Sequence, residues 1–333
     1  AIKIFMKIIL CLLCNKITHL KCIVFTFVLR NNIFMQNETI HINTPQNWKE
    51  YQLIDSGGFE KLEKFGKYFL RRPEPQAAWD KSMPESEWER TAHATFKKEK
   101  GSQEKGEWIM KKGMEDRWYM NYKTERLDLN FKLALSSFKH VGIFPEQASN
   151  WEFLAKNIPL LKTPKPKILN LFAYTGGASL ACKQVGADVT HVDSVKPVLS
   201  WARENMEVSK LDNIRWMAED ALKFVKREAR RGNFYQGILL DPPAYGRGPE
   251  GEKWVLEEQI DDMLRSVKEI LDPKEHILLT NVYSLGFSTL VVENLMKGIF
   301  NVPEKAESGE IYLNDEYDKK LPLGVFYRYL YQS

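Results

Sequence analysis

Midway along the chain the run Asn170-Leu171-Phe172-Ala173-Tyr174-Thr175-Gly176-Gly177 passes from apolar residues into small ones and two glycines. Where a strand enters a helix through such residues, backbone N–H groups can approach a ligand, and in open α/β sheets the ligand crevice lies beyond the carboxyl ends of the strands. Only Gly176 and Gly177 are present, and they come late, so this is not the G-x-G-x-x-G pattern of a dinucleotide site. One turn-helix-strand step further on, His191-Val192-Asp193-Ser194 brings a carboxylate to a strand end. There it can accept hydrogen bonds from both hydroxyls of a ribose. Capping the next helix is the other job open to Asp193, although Ser194 can do that too. A third strand leads to Ala218-Glu219-Asp220-Ala221-Leu222, and a fourth, Gly237-Ile238-Leu239-Leu240, delivers Asp241-Pro242-Pro243-Ala244-Tyr245. Two successive prolines fix φ and remove N–H groups, so they cannot continue a central strand and make a stiff loop instead. Such a loop can hold an acceptor still, with Asp241 or the Pro242 carbonyl taking an N–H and Tyr245 stacking on a planar base.

N-L-F-A-Y-T-G at residues 170–176 resembles the first motif of the class I S-adenosylmethionine (SAM)-dependent methyltransferases related to bacterial 23S rRNA methyltransferases. The likeness runs over roughly residues 127–333 and takes in Val141-Gly142-Ile143-Phe144-Pro145-Glu146-Gln147 and Asn150-Trp151. It implies SAM as cofactor, with Phe172, Ala173, Tyr174, Thr175 and Gly176 along the methionine part and Asp193 and Ser194 at the ribose. By the same resemblance Asp220 and Ala221 fall at the adenine amine, where Asp220 can also cap a helix, and Phe144 and Gln147 are further donor contacts. Asp241, Pro242, Pro243 and Tyr245 are then the catalytic, acceptor-holding residues. Transfer from a sulfonium is an in-line displacement whose main demand is alignment, and positioning alone lowers such barriers by roughly 7–11 kcal/mol.

Relatives that methylate carbon-5 of cytosine need a cysteine nucleophile, because that carbon is activated only by covalent attack next to it. Here Thr280-Asn281-Val282-Tyr283-Ser284 stands where they carry cysteine, and Cys182 falls on an apolar helical face with Leu180 and Ala181, a core position. The reading is methylation of a base nitrogen in RNA, ribosomal RNA above all. The alternatives are methylation of a protein or small molecule by the same core, and a non-catalytic RNA-binding protein that retains the fold.

These residues need a parallel sheet to bring them together. Beyond Pro166 short apolar runs alternate with amphipathic ones, the pattern of a sheet covered on both faces. Strands are predicted near Lys167–Phe172, Asp188–Val192, Asn213–Met217, Gln236–Leu240 and Glu275–Asn281, and helices over Lys196–Val208 and Trp254–Leu271. Two further strands, Glu310–Leu313 and Leu323–Tyr331, are expected as an antiparallel addition at the sheet edge. The fold class is α/β, a Rossmann-like seven-stranded methyltransferase sheet with a small, mostly β N-terminal domain. The expected boundaries are 1–34 for a leader or upstream translated segment, 35–126 for the β domain, whose aromatic-rich stretches are punctuated by Gly and Pro, and 127–333 for the methyltransferase domain.

With 333 residues and 44% apolar side chains the chain is globular and large enough for about two domains, and a formal net charge of +4 gives only a mild pull toward anionic partners. Three of its four cysteines, Cys11, Cys14 and Cys22, fall in the leading segment, so the body has no disulfide framework and a reducing cytoplasm is expected. The run Ile8–Leu13 is too short to span a membrane. Six histidines without ligand spacing give no metal site. Three basic clusters are candidate RNA contacts or solvated faces: Lys61, Lys64, Lys67, Arg71 and Arg72; Lys97, Lys98, Lys100 and Lys105; and Lys223, Lys226, Arg227, Arg230 and Arg231.

Overall fold

Alternation of buried and exposed side chains builds the first layer. The computed structural model describes residues 41–43, 45, 48–101, 105–283 and 286–333. The expected leader, residues 1–34 with Cys11, Cys14 and Cys22, lies outside them. After a short strand β1 (His41–Asn43) come β2 (Tyr51–Gly57), β3 (Glu60–Phe65), β4 (Tyr68–Pro73), helix α1 (Glu85–Thr91), β5 (Ala94–Lys98) and β6 (Gly106–Met110). Strands β2 to β6 form a five-stranded sheet in sequence order, antiparallel except for the β4–β5 pair. The mostly β character read from the aromatic and glycine pattern is what folds here.

A hairpin follows, β7 (Arg117–Lys123) and β8 (Asp128–Ala134), whose turn falls where residues 126 and 127 meet. In β8 the alternate residues Leu129, Phe131 and Leu133 are fully buried, the period of two that a half-buried strand requires.

The rest of the chain is a doubly covered sheet. Its elements are α2 (Ala148–Asn157), β9 (Lys167–Leu171), α3 (Gly177–Gln184), β10 (Asp188–Asp193), α4 (Lys196–Val208), β11 (Arg215–Ala218), α5 (Ala221–Arg230) and β12 (Gly237–Leu240). Then come the hairpin β13 (Tyr245–Arg247) and β14 (Lys253–Val255), α6 (Leu256–Lys268), β15 (Glu275–Val282), α7 (Thr289–Ile299), β16 (Glu307–Asn314) and β17 (Lys320–Gln332). The strand order is β1-β16-β17-β15-β12-β9-β10-β11, with β9 to β12 and β15 parallel and β17 antiparallel to both its neighbours. Seven of these strands are the expected sheet; β1, pairing parallel to β16, makes the eighth. One prediction needs correction. The helix expected from Trp254 begins at Leu256, because Trp254 lies in β14 across from Gly246.

Period-two alternation sorts the central strands between two cores. Ile168, Leu239, Ile277 and Leu279 pack on one face with α2, α3 and residues of the N-terminal sheet. Leu169, Leu171, Ile238, Leu240 and Leu278 pack on the other with α5, α6 and α7. Strands buried on both faces read as continuous apolar runs, as these do. The free edge of β8 is closed by α4: Ser209 Oγ and Asn205 Oδ1 accept from the backbone N–H groups of Asn130 and Lys132, at 2.9 and 2.8 Å. Side chains thereby cap an edge that would otherwise offer unpaired backbone groups. Among the described residues no helix is long and apolar enough to cross a membrane.

A polar pin joins the N-terminal sheet to the β16–β17 turn. The Asp55 carboxylate, with no exposed surface, accepts from Met83 N, Trp88 Nε1 and Lys319 Nζ, each at 2.8 Å. Asp55→Ala would leave the Met83 N–H and the buried Trp88 indole N–H without this acceptor, while Lys319 keeps Ser56 O and Asp315, and is expected to destabilise the protein by about 3 kcal/mol. Urea unfolding measures this, and a loss under about 1 kcal/mol would show that water replaces the carboxylate.

Candidate functional site

Backbone conformation at the end of β9 decides the site. Phe172 and Tyr174 have φ of 55° and 50°, and Gly176 has φ of 94°. The first two are non-glycine residues in the left-handed region, which persists only where surrounding structure over-determines it. Here several interactions do so. Asp193 Oδ2 accepts from Tyr174 N at 2.9 Å while Oδ1 accepts from Val195 N at 2.9 Å. Thr175 Oγ1 donates to the Gly142 carbonyl at 2.6 Å, and the Thr175 carbonyl accepts from Asn205 Nδ2 at 2.9 Å. Below the turn, Asn170 Nδ2 donates to Ser179 Oγ, which also meets His191 Nδ1 at 3.0 Å. Burial pushes the His191 ring down to about 3, so it stays neutral.

Gly177 shows why the turn needs small residues: a Cβ there would sit 2.5 Å from the Trp151 ring. The turn opens onto a cleft enclosing about 580 Å³ of empty space, its open mouth included. Its lining includes Phe144, Gln147, Asn150 and Trp151, the turn residues Phe172 to Ala178, and Leu240, Asp241 and Leu279. Asp241 is the only ionisable carboxylate in this lining, and among the described residues lysine and arginine contribute nothing to it. Aromatic faces suit a cation such as a sulfonium. Backbone N–H groups and a nearby ribose-competent carboxylate suit the rest of SAM.

The predicted site residues fall into two groups. Phe172, Ala173, Tyr174, Thr175, Gly176 and Asp241 line the cleft, as do Phe144 and Gln147. Phe144 leans on Tyr174 with ring centroids 5.2 Å apart. Asp193, Ser194, Asp220 and Ala221 are outside the lining. Asp193 reaches the turn from behind, through Tyr174 N. Its carboxyl is raised by burial, against which the N–H groups of Val195 and Tyr174 pull it down. Asp220 caps α5, accepting from Lys223 N at 2.9 Å. Pro242, Pro243 and Tyr245 also lie beyond the lining; Pro242 is buried, and Tyr245 is exposed on β13.

Two residues of consequence escaped sequence reasoning. Trp254 donates from Nε1 to the Pro243 carbonyl at 2.7 Å and packs on Phe172 with centroids 4.9 Å apart. It therefore ties the D-P-P loop to the donor turn. Its helical spacing with Leu256 and Ile260 hid it. Asn281 donates from Nδ2 to Asp241 Oδ1 at 2.9 Å, and its position at a strand end was the available signal. Cys182 is fully buried with its thiol pushed far up by burial, in the core as expected.

A cleft at the tips of parallel strands, lined by a strained turn, aromatic faces and one carboxylate, fits the class of SAM-dependent methyltransferases. The SAM-dependent methyltransferase from Agrobacterium tumefaciens, in its crystal structure, matches with a TM-score of 0.79 and 36% sequence identity, over 87% of this chain and 93% of that one. The chain belongs to the SAM-dependent methyltransferases, enzymes with SAM as methyl donor. Curated relatives named ribosomal RNA large subunit methyltransferase K/L are also similar. That of Shewanella frigidimarina is 27% identical and that of Pseudoalteromonas translucida 30% identical, each over 162 residues. Each match takes in 47% of this chain, and the chain spans 22% of each relative's length. No family model matches the chain.

When bound, SAM supplies an electrophilic methyl on a sulfonium. The residues present hold the turn, line the cleft with aromatic and apolar side chains and place one carboxylate, Asp241, in its wall. Asp193→Ala is expected to weaken SAM binding by roughly 10–100-fold, the value of charge-assisted hydrogen bonds. Calorimetry with SAM reads this directly, and wild-type affinity in the variant would remove Asp193 from the donor site.

Proposed function

We propose that the enzyme methylates a base nitrogen in RNA, with ribosomal RNA as the substrate. The observation that carries this is the chemistry of the acceptor side. Asp241, on the cleft wall, has its carboxyl pushed up to about 6 by burial, while the Asn281 hydrogen bond lowers it. Near neutral pH it is largely ionised yet basic enough to take up an amine or ring N–H as the nitrogen attacks. Among the described residues the one cysteine, Cys182, is buried in the core, so none of them offers a thiol for covalent attack on a pyrimidine. The names of the curated relatives, which act on ribosomal RNA of the large subunit, agree with such an acceptor.

In this reading Phe172, Ala173, Tyr174, Thr175 and Gly176 cradle the methionine part of SAM. Asp193 and Ser194 serve the ribose, and Asp220 and Ala221 the adenine. Pro242 and Pro243 stiffen the rim that holds the acceptor, and Tyr245, 52% exposed, is free to stack on the base. Residues 35–126 act as an accessory β domain presenting RNA to the catalytic domain, residues 127–333.

A second reading, an acceptor on a protein or small molecule, draws on the fate of the basic clusters. Lys61 and Arg72 pair with Glu74 and Glu63, Lys226 with Asp262, and Arg227 with Glu219, so much of the apparent positive charge is matched internally. Salt separates the two readings, because phosphate contacts make RNA methylation fall steeply with ionic strength.

Two results are expected. Labelled methyl from SAM enters ribosomal RNA taken from cells lacking the gene, and failure to label any RNA would sink the substrate assignment. The rate falls as pH drops through about 6, since protonation removes the Asp241 acceptor, and Asp241→Ala lowers kcat while SAM affinity holds. A kcat that is flat from neutral pH down past that midpoint would exclude an ionised Asp241.

A further inference from the structure

The tip of β15 lies beside the D-P-P loop because Leu240 and Thr280 are register partners. The next residue of each strand, Asp241 and Asn281, therefore meet. Asn281 is 1% exposed, and its Nδ2 donates to Asp241 Oδ1 at 2.9 Å. Its own Oδ1 is buried and has no hydrogen-bond partner among the described residues. The opposite amide orientation would set Oδ1 against a carboxylate oxygen, a repulsion relieved only when Asp241 is protonated. Leaving Oδ1 unmatched is thus the consequence of giving the N–H to an ionised Asp241.

Packing leaves the amide room to do this. Gly324 on β17, with φ of 146°, lies over the Asn281 side chain, and a Cβ there would come within 3.4 Å of Oδ1 and 3.5 Å of Nδ2. A Cβ at 324 would be strained by that φ and would meet the Val282 carbonyl first, at 3.3 Å, with the carboxamide in ordinary van der Waals contact.

We propose that Asn281 is a positioning residue for Asp241: it occupies one carboxylate oxygen, fixes the plane of the group, and leaves the second oxygen for the acceptor N–H. This rests on the acceptor role proposed for Asp241. Around the pair, β17 sets Phe326 opposite Asn281, Tyr327 opposite Thr280 and Arg328 opposite Leu279, β15 carries Glu275 and His276 at its other end, Tyr283 follows β15, Tyr245 opens the hairpin beyond the D-P-P loop, Tyr174 shares the cleft lining, and Asp193 lies two strands away at the end of β10. Of the influences on Asp241, burial raises its carboxyl and the Asn281 amide lowers it.

Asn281→Ala, Asn281→Ser and Asp241→Asn would be compared with wild type by kcat against pH, by SAM affinity, and by NMR titration of the Asp241 carboxyl carbon in the protein alone. Asn281→Ala is expected to lower kcat at neutral pH by roughly 10–100-fold and to move both midpoints to higher pH, with SAM affinity within about twofold of wild type. Serine, which keeps a donor, recovers part of the rate and part of the shift. An Asn281→Ala enzyme that loses rate while both midpoints stay put would make the residue merely structural and overturn the proposal, as would one with a wild-type rate. Loss of activity in Asp241→Asn together with a normal Asn281→Ala enzyme defeats the proposal alone. Full activity in Asp241→Asn defeats the acceptor reading itself and the proposal with it.

Discussion

The hydrogen bond from Tyr174 N to Asp193 Oδ2, 2.9 Å long, is the constraint on which the site depends. Tyr174 and Phe172 occupy backbone conformations that cost of order 1–3 kcal/mol each for a side-chain-bearing residue. Their strain turns the chain sharply out of β9 and exposes backbone at the strand tips instead of burying it in a helix. A charged acceptor in a partly desolvated place is what makes such a turn stable, because charge-assisted bonds are stronger than neutral ones. Thr175, held to Gly142 and Asn205, extends the same restraint to the segment over the cleft and to α4. A single carboxylate thus shapes the turn whether or not it also meets a ribose, and both roles draw on different lone pairs of the same group.

The N-terminal sheet joins the catalytic core through charge as well as through apolar packing. Lys61, Glu63, Arg72 and Glu74 are all buried, and the Tyr283 hydroxyl, just past the end of β15, donates to Glu74 Oε1 at 3.0 Å. Glu146, buried between the cleft residues Phe144 and Gln147, has its carboxyl pushed up to about 7 by burial, against the nearby Lys61. Groups this deeply buried are stable only when matched. Their matching explains why runs that look basic along the chain are internal links in the fold.

Much of the architecture was legible from periodicity. The runs over β9, β12 and β15 are largely apolar at their centres, as strands covered on both faces require, and α4 begins and ends where its spacing predicts. The donor turn and Asp241 could be read from small residues and paired prolines at strand ends, because those types restrict the backbone locally. Trp254 was assigned to a helix because Leu256, Ile260 and Met263 carry a helical period that it happens to extend; its strand pairing with Gly246 depends on a chain reversal that periodicity does not record. The division of each strand between two cores was implicit in alternation, while which helices cover which face was not.

By itself, the sequence determined the parallel sheet, a tight turn of small residues after β9 and a proline-restricted loop after β12, since all of these follow from local backbone restriction and side-chain period. Only the tertiary structure decided that Asp193 bonds the turn through Tyr174 N, that Asp220 caps a helix, and that Asn281 and Trp254 bond Asp241 and the Pro243 carbonyl. The physical reason is range. Backbone preference acts over a few neighbouring residues, whereas a hydrogen bond between strand tips depends on register and packing across separate elements, which no stretch of chain carries alone.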